Sequence, residues 1–385
     1  MKKILSFVLA VMMMAGTFTG CISAPGDDTP PEPTPTPRIY TPNPWTGEKI
    51  DETFPKGQRA VAIMINNISA CRPQRGLSQA SILFESKVEG GITRFMGIFE
   101  DYTTLEATGP VRSGRDQFLQ WAIPMDVLYC HIGRSEITQT YIDTFEYNDR
   151  DLDGGKRNFI YRIDRPGKAY EHTAYTDART LSATLEKYEY NMNKTYEKPV
   201  FDFVDYDENN GIRVLEGENA TDISIVHSEV YRTYFEYDET TNRYMMSQYN
   251  GTLGTRQPTI DENTGEQIGF ENVFVNFADI SKYPYPGGGK GDPNYQKVDL
   301  SYGSVGYYFS GGKVEKIRWF KGQASDELEF TDWDENSLKV NCGKSYIGFV
   351  DFDEAERFEY VGPAEEIVEE EIDTTQDVTT EVEFE

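Results

Sequence analysis

Cysteine and histidine are scarce in this chain: 385 residues carry four cysteines and three histidines. Three cysteines follow Cys21, namely Cys71, Cys130 and Cys342. That odd, small number excludes a disulfide-built fold. It leaves a Cys71–Cys130 bridge open, with buried free thiols the plainer expectation. No His-Glu-x-x-His pair and no Gly-x-Ser-x-Gly elbow occurs, so neither that zinc chemistry nor the hydrolase nucleophile is available. Positive charge is short as well. Lys and Arg number 37 against 65 Asp and Glu, a formal charge of -28, which excludes a generic nucleic-acid binder. Outside residues 4–15, no apolar run approaches the length that crosses a bilayer. Aromatics are plentiful, with 25 Tyr and 22 Phe, so a wholly disordered chain is excluded too.

Lys2 and Lys3 precede the apolar run ILSFVLAVMMMA, which is too short for a stable span and reads as an export signal. It ends at Phe18-Thr19-Gly20-Cys21, where small residues before a cysteine resemble the lipobox of bacterial lipoproteins, with Phe18 in the place usually held by Leu. The resemblance implies removal of residues 1–20 and a lipid on Cys21; an ordinary secretory signal with an incidental cysteine is the alternative. Residues 21–45 are dense in Pro, Thr and Asp, which favours an extended tether over helix or sheet. Residues 361–385 hold ten acids and no base and read as a solvated acidic tail. The expected location is the cell membrane, lipid-anchored on its extracytoplasmic face.

Between these ends the chain has room for about two domains. AVAIMINN (60–67) and ITRFMGIF (92–99) read as strands, RDQFLQWAI (115–123) as a helix and DVLYCHI (126–132) as a strand. RSEITQTYIDTF (134–145) and TDARTLSATLEKYEY (176–190) read as helices, the second with Thr176 and Asp177 as cap candidates. This alternation predicts an α/β domain over residues 46–195. After a polar connection at 196–214, alternating segments predict a β-rich domain over 215–360. Its hairpins lie at 230–251, turning at Glu239–Asn242, and at 305–320, turning at Gly311-Gly312, with further β segments at 271–277 and 344–350.

The richest polar stretch begins at Arg72-Pro73-Gln74-Arg75-Gly76-Leu77-Ser78-Gln79-Ala80 and continues through Glu85. Glu89-Gly90-Gly91-Ile92-Thr93-Arg94 and Gly109-Pro110-Val111-Arg112-Ser113-Gly114-Arg115 follow. With these motifs, and with Asn43-Pro44-Trp45-Thr46-Gly47 and Asp151-Leu152-Asp153-Gly154, the chain resembles the exported lipoprotein family typified by YerB. The resemblance covers most of residues 43–350 and is more specific in the first half. It implies a three-layer α/β first domain followed by a β-rich partner, and it supplies no established reaction.

Physically, Arg72, Arg94, Arg112 and Arg115 gather with Ser113, Glu85 and Glu89 in or beside expected loops. Arginine presents a planar fork suited to carboxylate or phosphate, so an anion-binding site is one reading; internal Arg–Glu pairing is the other. Asp149, Asp151 and Asp153 have the spacing of half a calcium loop, but Ile160 stands where the bidentate glutamate belongs. Calcium is thus an open cofactor, and no other is expected. Cys130 and His131 are adjacent in a strand and point to opposite faces, leaving His172 as the best acid/base candidate. The function expected is a binding or accessory module for an envelope component or membrane protein. The alternative is a glycan hydrolase working through two of Glu85, Glu89, Asp116, Asp151, Asp153 and Asp164, or through a bound metal.

Overall fold

The computed structural model describes residues 40–251, 253–284 and 293–362. The expected signal peptide, Cys21, the tether up to residue 39 and the acidic tail beyond 362 lie outside these residues. Proline density predicts a tether to residue 45, but the packed body begins at Tyr40. Tyr40, Asn43 and Trp45 are buried, with the Trp45 ring edge-on to Tyr196 at 4.8 Å. Asn43 Nδ2 donates to Glu100 Oε2 at 2.8 Å. Burial of two aromatic rings outweighs the donors lost at Pro42 and Pro44.

The first half contributes β1 (Val61–Asn66), β2 (Ile82–Lys87), β3 (Thr93–Phe99), α1 (Asp116–Met125), β4 (Leu128–His131) and α2 (Glu136–Thr144). It continues with β5 (Asp151–Asp153), β6 (Tyr161–Arg162), β7 (Ala174–Tyr175) and α3 (Ala178–Lys187). The second half contributes β8 (Asp222–Ser228), β9 (Tyr231–Asp238), β10 (Arg243–Asn250), β11 (Thr255–Pro258), β12 (Gly269–Phe270), β13 (Asn272–Ala278) and β14 (Ile280–Lys282). Then come β15 (Gln296–Val298), β16 (Ser304–Ser310), β17 (Lys313–Phe320), β18 (Glu329–Thr331), β19 (Ser345–Asp351) and β20 (Glu359–Val361).

The halves are α/β and β-rich, as their texture predicts, yet they build one sheet. Its order is β18-β17-β16-β13-β19-β2-β3-β1-β4-β5, with β19 running parallel to β2 from the second half into the first. β1, β13 and β19 are apolar without strict alternation because both faces of this sheet are covered. On one face Met64 and Phe84 pack with Phe118 and Trp121 of α1 and Ile142 of α2. On the other, Ile63 and Leu83 pack with Leu181 and Leu185 of α3 and with Ile225, Phe235 and Met246 of a second sheet. That sheet runs β11-β10-β9-β8-β20, with β12 on β10. α2 and α3 begin at side-chain caps: Ser135 Oγ accepts from Thr138 N–H at 3.0 Å, and Asp177 Oδ1 from Thr180 N–H at 2.7 Å.

Two expectations change here. Residues 196–214 are no polar linker, since Phe201 and Phe203 are buried, with the Phe201 ring 5.6 Å from Phe274. Glu85 is not beside a loop: it lies in β2, a central strand, and is fully buried. No helix among the described residues is long and apolar enough to cross a membrane.

Candidate functional site

β1, β2, β4 and β5 run parallel, so their carboxyl ends share one edge of the sheet, where ligands of open α/β sheets gather. β1 and β4 diverge at that edge, and the Val111–Gly114 segment enters between them. Arg112 N–H donates to Met64 O at 2.9 Å, Ile132 N–H to Arg112 O at 3.0 Å, and Gly114 N–H to Gly133 O at 2.9 Å. Gly114 has to be glycine: a Cβ there would stand 2.9 Å from the Tyr129 ring and hydroxyl. Arg115 then leads into α1.

This wedge brings together five of the seven expected binding residues. Arg94 lies in β3 opposite Asn66, is 4% exposed, and donates Nη1–H to Ser113 O at 2.7 Å. Its Nη2 is 3.5 Å from Glu89 Oε2, while Arg115 Nε pairs with the other Glu89 oxygen. Arg115 also lies 5.0 Å from the Tyr295 ring. The Arg112 side chain has no hydrogen-bond or ion-pair partner among the described residues, and its buried Nε, like that of Arg94, is unmatched. Two guanidiniums thus divide one carboxylate, with the third, Arg112, unpaired beside them. Burial together with the neighbouring Arg115 charge pulls Arg94 down to about 9, with Glu89 opposing. Burial also lowers Arg112.

His172 adjoins this group, with Nδ1 3.0 Å from Asn66 Nδ2. Burial lowers its pKa, Glu171 opposes, and the Arg112, Lys168 and Arg165 charges add to the lowering. Cys71 sits among Arg72, Arg165, Lys168 and Arg112, yet burial raises its thiol to about 12, so it is no nucleophile. Cys71 and Cys130 are both buried and unbridged. His131 lies against Tyr129, ring centroids 5.0 Å apart, while Cys130 joins the opposite core.

Arg72 and Glu85 separate from the cluster. Arg72 donates to Tyr249 O at 2.9 Å and Asn67 O at 3.0 Å, which consumes its fork on the backbone. Glu85 accepts from Thr93 Oγ1 at 2.6 Å, Tyr346 OH at 2.7 Å, Thr233 Oγ1 at 2.9 Å and Asn67 Nδ2 at 3.0 Å. Burial works to raise its pKa, but the His227 charge and these hydrogen bonds bring it below the usual value. Both residues join the two halves. The Arg72–Ser78 motif does the same, because Gly76 N–H and Ser78 hold the buried Asp261 carboxylate. Gly76 takes φ +79°, and a Cβ there would meet Thr108 Oγ1 at 2.3 Å.

The three aspartates of the expected calcium half-loop take other partners. Asp149 is 72% exposed and pairs with Arg150. Asp151 Oδ2 accepts from Arg134 at 2.7 Å and its Oδ1 lies 2.8 Å from His131 Nε2. Asp153 Oδ1 accepts from Gly133 and Gly155 N–H at 2.8 and 2.9 Å. A guanidinium occupies the space where a cation would sit, and among the described residues no three His, Cys, Asp or Glu side chains are arranged to hold a metal. Arg134 and Asp261 escaped sequence reading, although Gly133-Arg134-Ser135 between a strand and a capped helix was a usable signal. Of the remaining acids, Asp164 is exposed. Asp116 is buried beneath Tyr283, whose hydroxyl donates to Oδ2 at 2.7 Å, and burial raises its carboxyl to about 6.

Family models match at residues 45–191, described as the N-terminal domain of a protein of unknown function (DUF3048), and at 222–347, described as its C-terminal domain. A Bacillus subtilis (strain 168) protein that carries the name lipoprotein YerB is 28% identical over 284 residues, which span 72% of this chain and 77% of that one. The crystal structure of the Bacillus subtilis YerB protein superposes with a TM-score of 0.67 at 23% identity, covering 83% of this chain and 99% of the other. With both domain models in order along a shared fold, the chain belongs to the YerB-like DUF3048 family.

Proposed function

We propose that the protein is a lipid-anchored, extracytoplasmic binding or accessory module that takes an anionic group of an envelope component or membrane partner on its Arg94–Arg112–Arg115 loops. The observation that carries this reading is that Arg94 and Arg115 divide the single Glu89 carboxylate while the Arg112 side chain beside them has no partner among the described residues, at the carboxyl ends of β1 and β4 in a chain with charge -28. An incoming anion gives the Arg112 guanidinium the partner it lacks among the described residues. The lipobox-like Phe18-Thr19-Gly20-Cys21 and the relative's lipoprotein name support the anchor and the extracytoplasmic face.

The test is thermal unfolding of the full chain in detergent with millimolar inorganic phosphate or citrate. Both anions raise the melting temperature of the wild type and leave Arg112→Gln unmoved, since a ligand stabilises only the state that binds it. Equal shifts in both proteins would remove the arginines from the reading. The hydrolase alternative rests on the raised Asp116 carboxyl. Release of soluble fragments from isolated cell-wall sacculi, lost in Asp116→Asn, would replace the binding reading by that one.

A further inference from the structure

Three of the four tryptophans, Trp45, Trp121 and Trp319, are at most 1% exposed, whereas Trp333 leaves 46% of its surface in solvent. Its ring is held in place on the turn after β18. Asp332 Oδ1 accepts from the N–H groups of Asp334 and Asn336, each at 2.9 Å. Lys316 Nζ and the Arg318 guanidinium lie 4.3 and 4.8 Å from the indole. An indole that leaves nearly half its surface in solvent beside a cleft offers an apolar face on which a ring can stack.

Trp333 borders a cleft of about 860 Å³. That is within the range of roughly 300–1,000 Å³ that ligand sites occupy. Tyr307 and Tyr360 line it with ring centroids 5.9 Å apart, and within it Arg213 grips Glu315 at two points, 2.8 and 2.6 Å. Its walls come from β16, β17, β20, the turn after β18 and the segment 213–218, while the arginine loops stand at the β1 and β4 end of the sheet.

We propose that this cleft binds a neutral glycan, with Trp333 as the platform on which a sugar ring stacks. Sugar hydroxyls both donate and accept, and their ring faces are apolar, so they suit a cleft where carboxylates, cations and aromatic faces alternate. The five acids of the lining outnumber its three cations, which disfavours a polyanion. A basic peptide needs carboxylates free of internal partners. Here three of the five acids are engaged, Glu315 by Arg213, Asp332 by its own turn, and Glu218 by the Tyr360 hydroxyl at 3.2 Å, which leaves Glu216 and Asp334.

Chitohexaose is a suitable probe, since its β-linked units present flat apolar faces and an amide N–H. The full chain in a zwitterionic detergent is titrated with it and read by ligand-observed saturation-transfer NMR and by acrylamide quenching of tryptophan fluorescence. Because the other tryptophans are buried, quenching reports Trp333. The expected result is saturable transfer to the sugar-ring protons and loss of acrylamide access. Trp333→Ala loses the transfer without a change in melting, and Arg112→Gln retains it. Absence of transfer at millimolar chitohexaose, or transfer that survives Trp333→Ala, would overturn the proposal. Protection of Trp333 by oligolysine in place of the oligosaccharide would overturn it too, and would assign the cleft to a basic peptide.

Discussion

Asp261 of the second half closes on Ser78 of the first: its Oδ2 accepts from Ser78 Oγ at 2.6 Å and from Ser78 N–H at 2.8 Å. The Gly76 N–H binds the other oxygen at 3.0 Å, and the carboxylate is fully buried. Asn263 N–H donates to Oδ1 as well, so truncation of Asp261 strands four donors. Asp261→Ala is expected to cost about 3 kcal/mol, and Ser78→Ala about 1 kcal/mol because the backbone donors persist. Urea unfolding measures both; equal stability of Asp261→Ala and wild type would mean that this contact does not join the halves.

Arg112 and Arg134 lie on neighbouring loops and differ in what holds them. Arg134 is buried against Asp151 and Asp153, so Arg134→Ala leaves two buried carboxylates without their cation. A loss of about 3–5 kcal/mol is expected. Arg112 has no internal partner among the described residues, and Arg112→Gln should stay within about 0.5 kcal/mol of wild type. The ranking is read by urea unfolding, and a reversed order would make Arg112 structural. Millimolar calcium should leave the melting temperature of the wild type unchanged, because Arg134 fills the aspartate pair.

Asp116 makes stability depend on pH. Burial raises its carboxyl from the usual 3.8 to about 6 in the folded state, so between these values the folded chain binds more protons than the unfolded one. Stability from this group accordingly falls as pH rises from about 4 to 6 and stays lowered above that. Two units correspond to roughly 3 kcal/mol as an upper bound. Asp116→Asn keeps an acceptor for Tyr283 and removes the charge. The variant should gain on wild type by about 1–3 kcal/mol between pH 4.5 and 7.5, measured by urea unfolding at both. A pH-independent difference would exclude Asp116 as the source.

Most elements were legible where an apolar run or an alternation had clear ends. β1, β3, β13 and the β16–β17 hairpin at Gly311-Gly312 fall at the expected segments. β2 was not legible. Glu85-Ser86-Lys87 reads as polar surface, and the partners that allow Glu85 inside a sheet, Tyr346 and Thr233, are 261 and 148 residues away. The arginine motifs were recognisable as a set, but their division was not. Arg72 turns to backbone carbonyls, while Arg94 and Arg115 divide Glu89 and Arg112 stands unpaired beside them. The aspartate spacing at 149–153 was misleading because spacing does not say which cation comes to it, and the cation is Arg134 from the preceding βα loop.

The sequence alone determined the class of each half, through its hydrophobic periods, and the acidity of the chain; its motifs determined the family. Such properties are local or additive, and no contact is needed to read them. Tertiary structure decided that the halves share one ten-stranded sheet, that Glu85 is buried at their junction, and that Arg94 and Arg115 divide one carboxylate, Glu89, beside an unpaired Arg112. Each of these rests on pairings between residues distant in the chain, whose free energy depends on burial and on which charge arrives beside which.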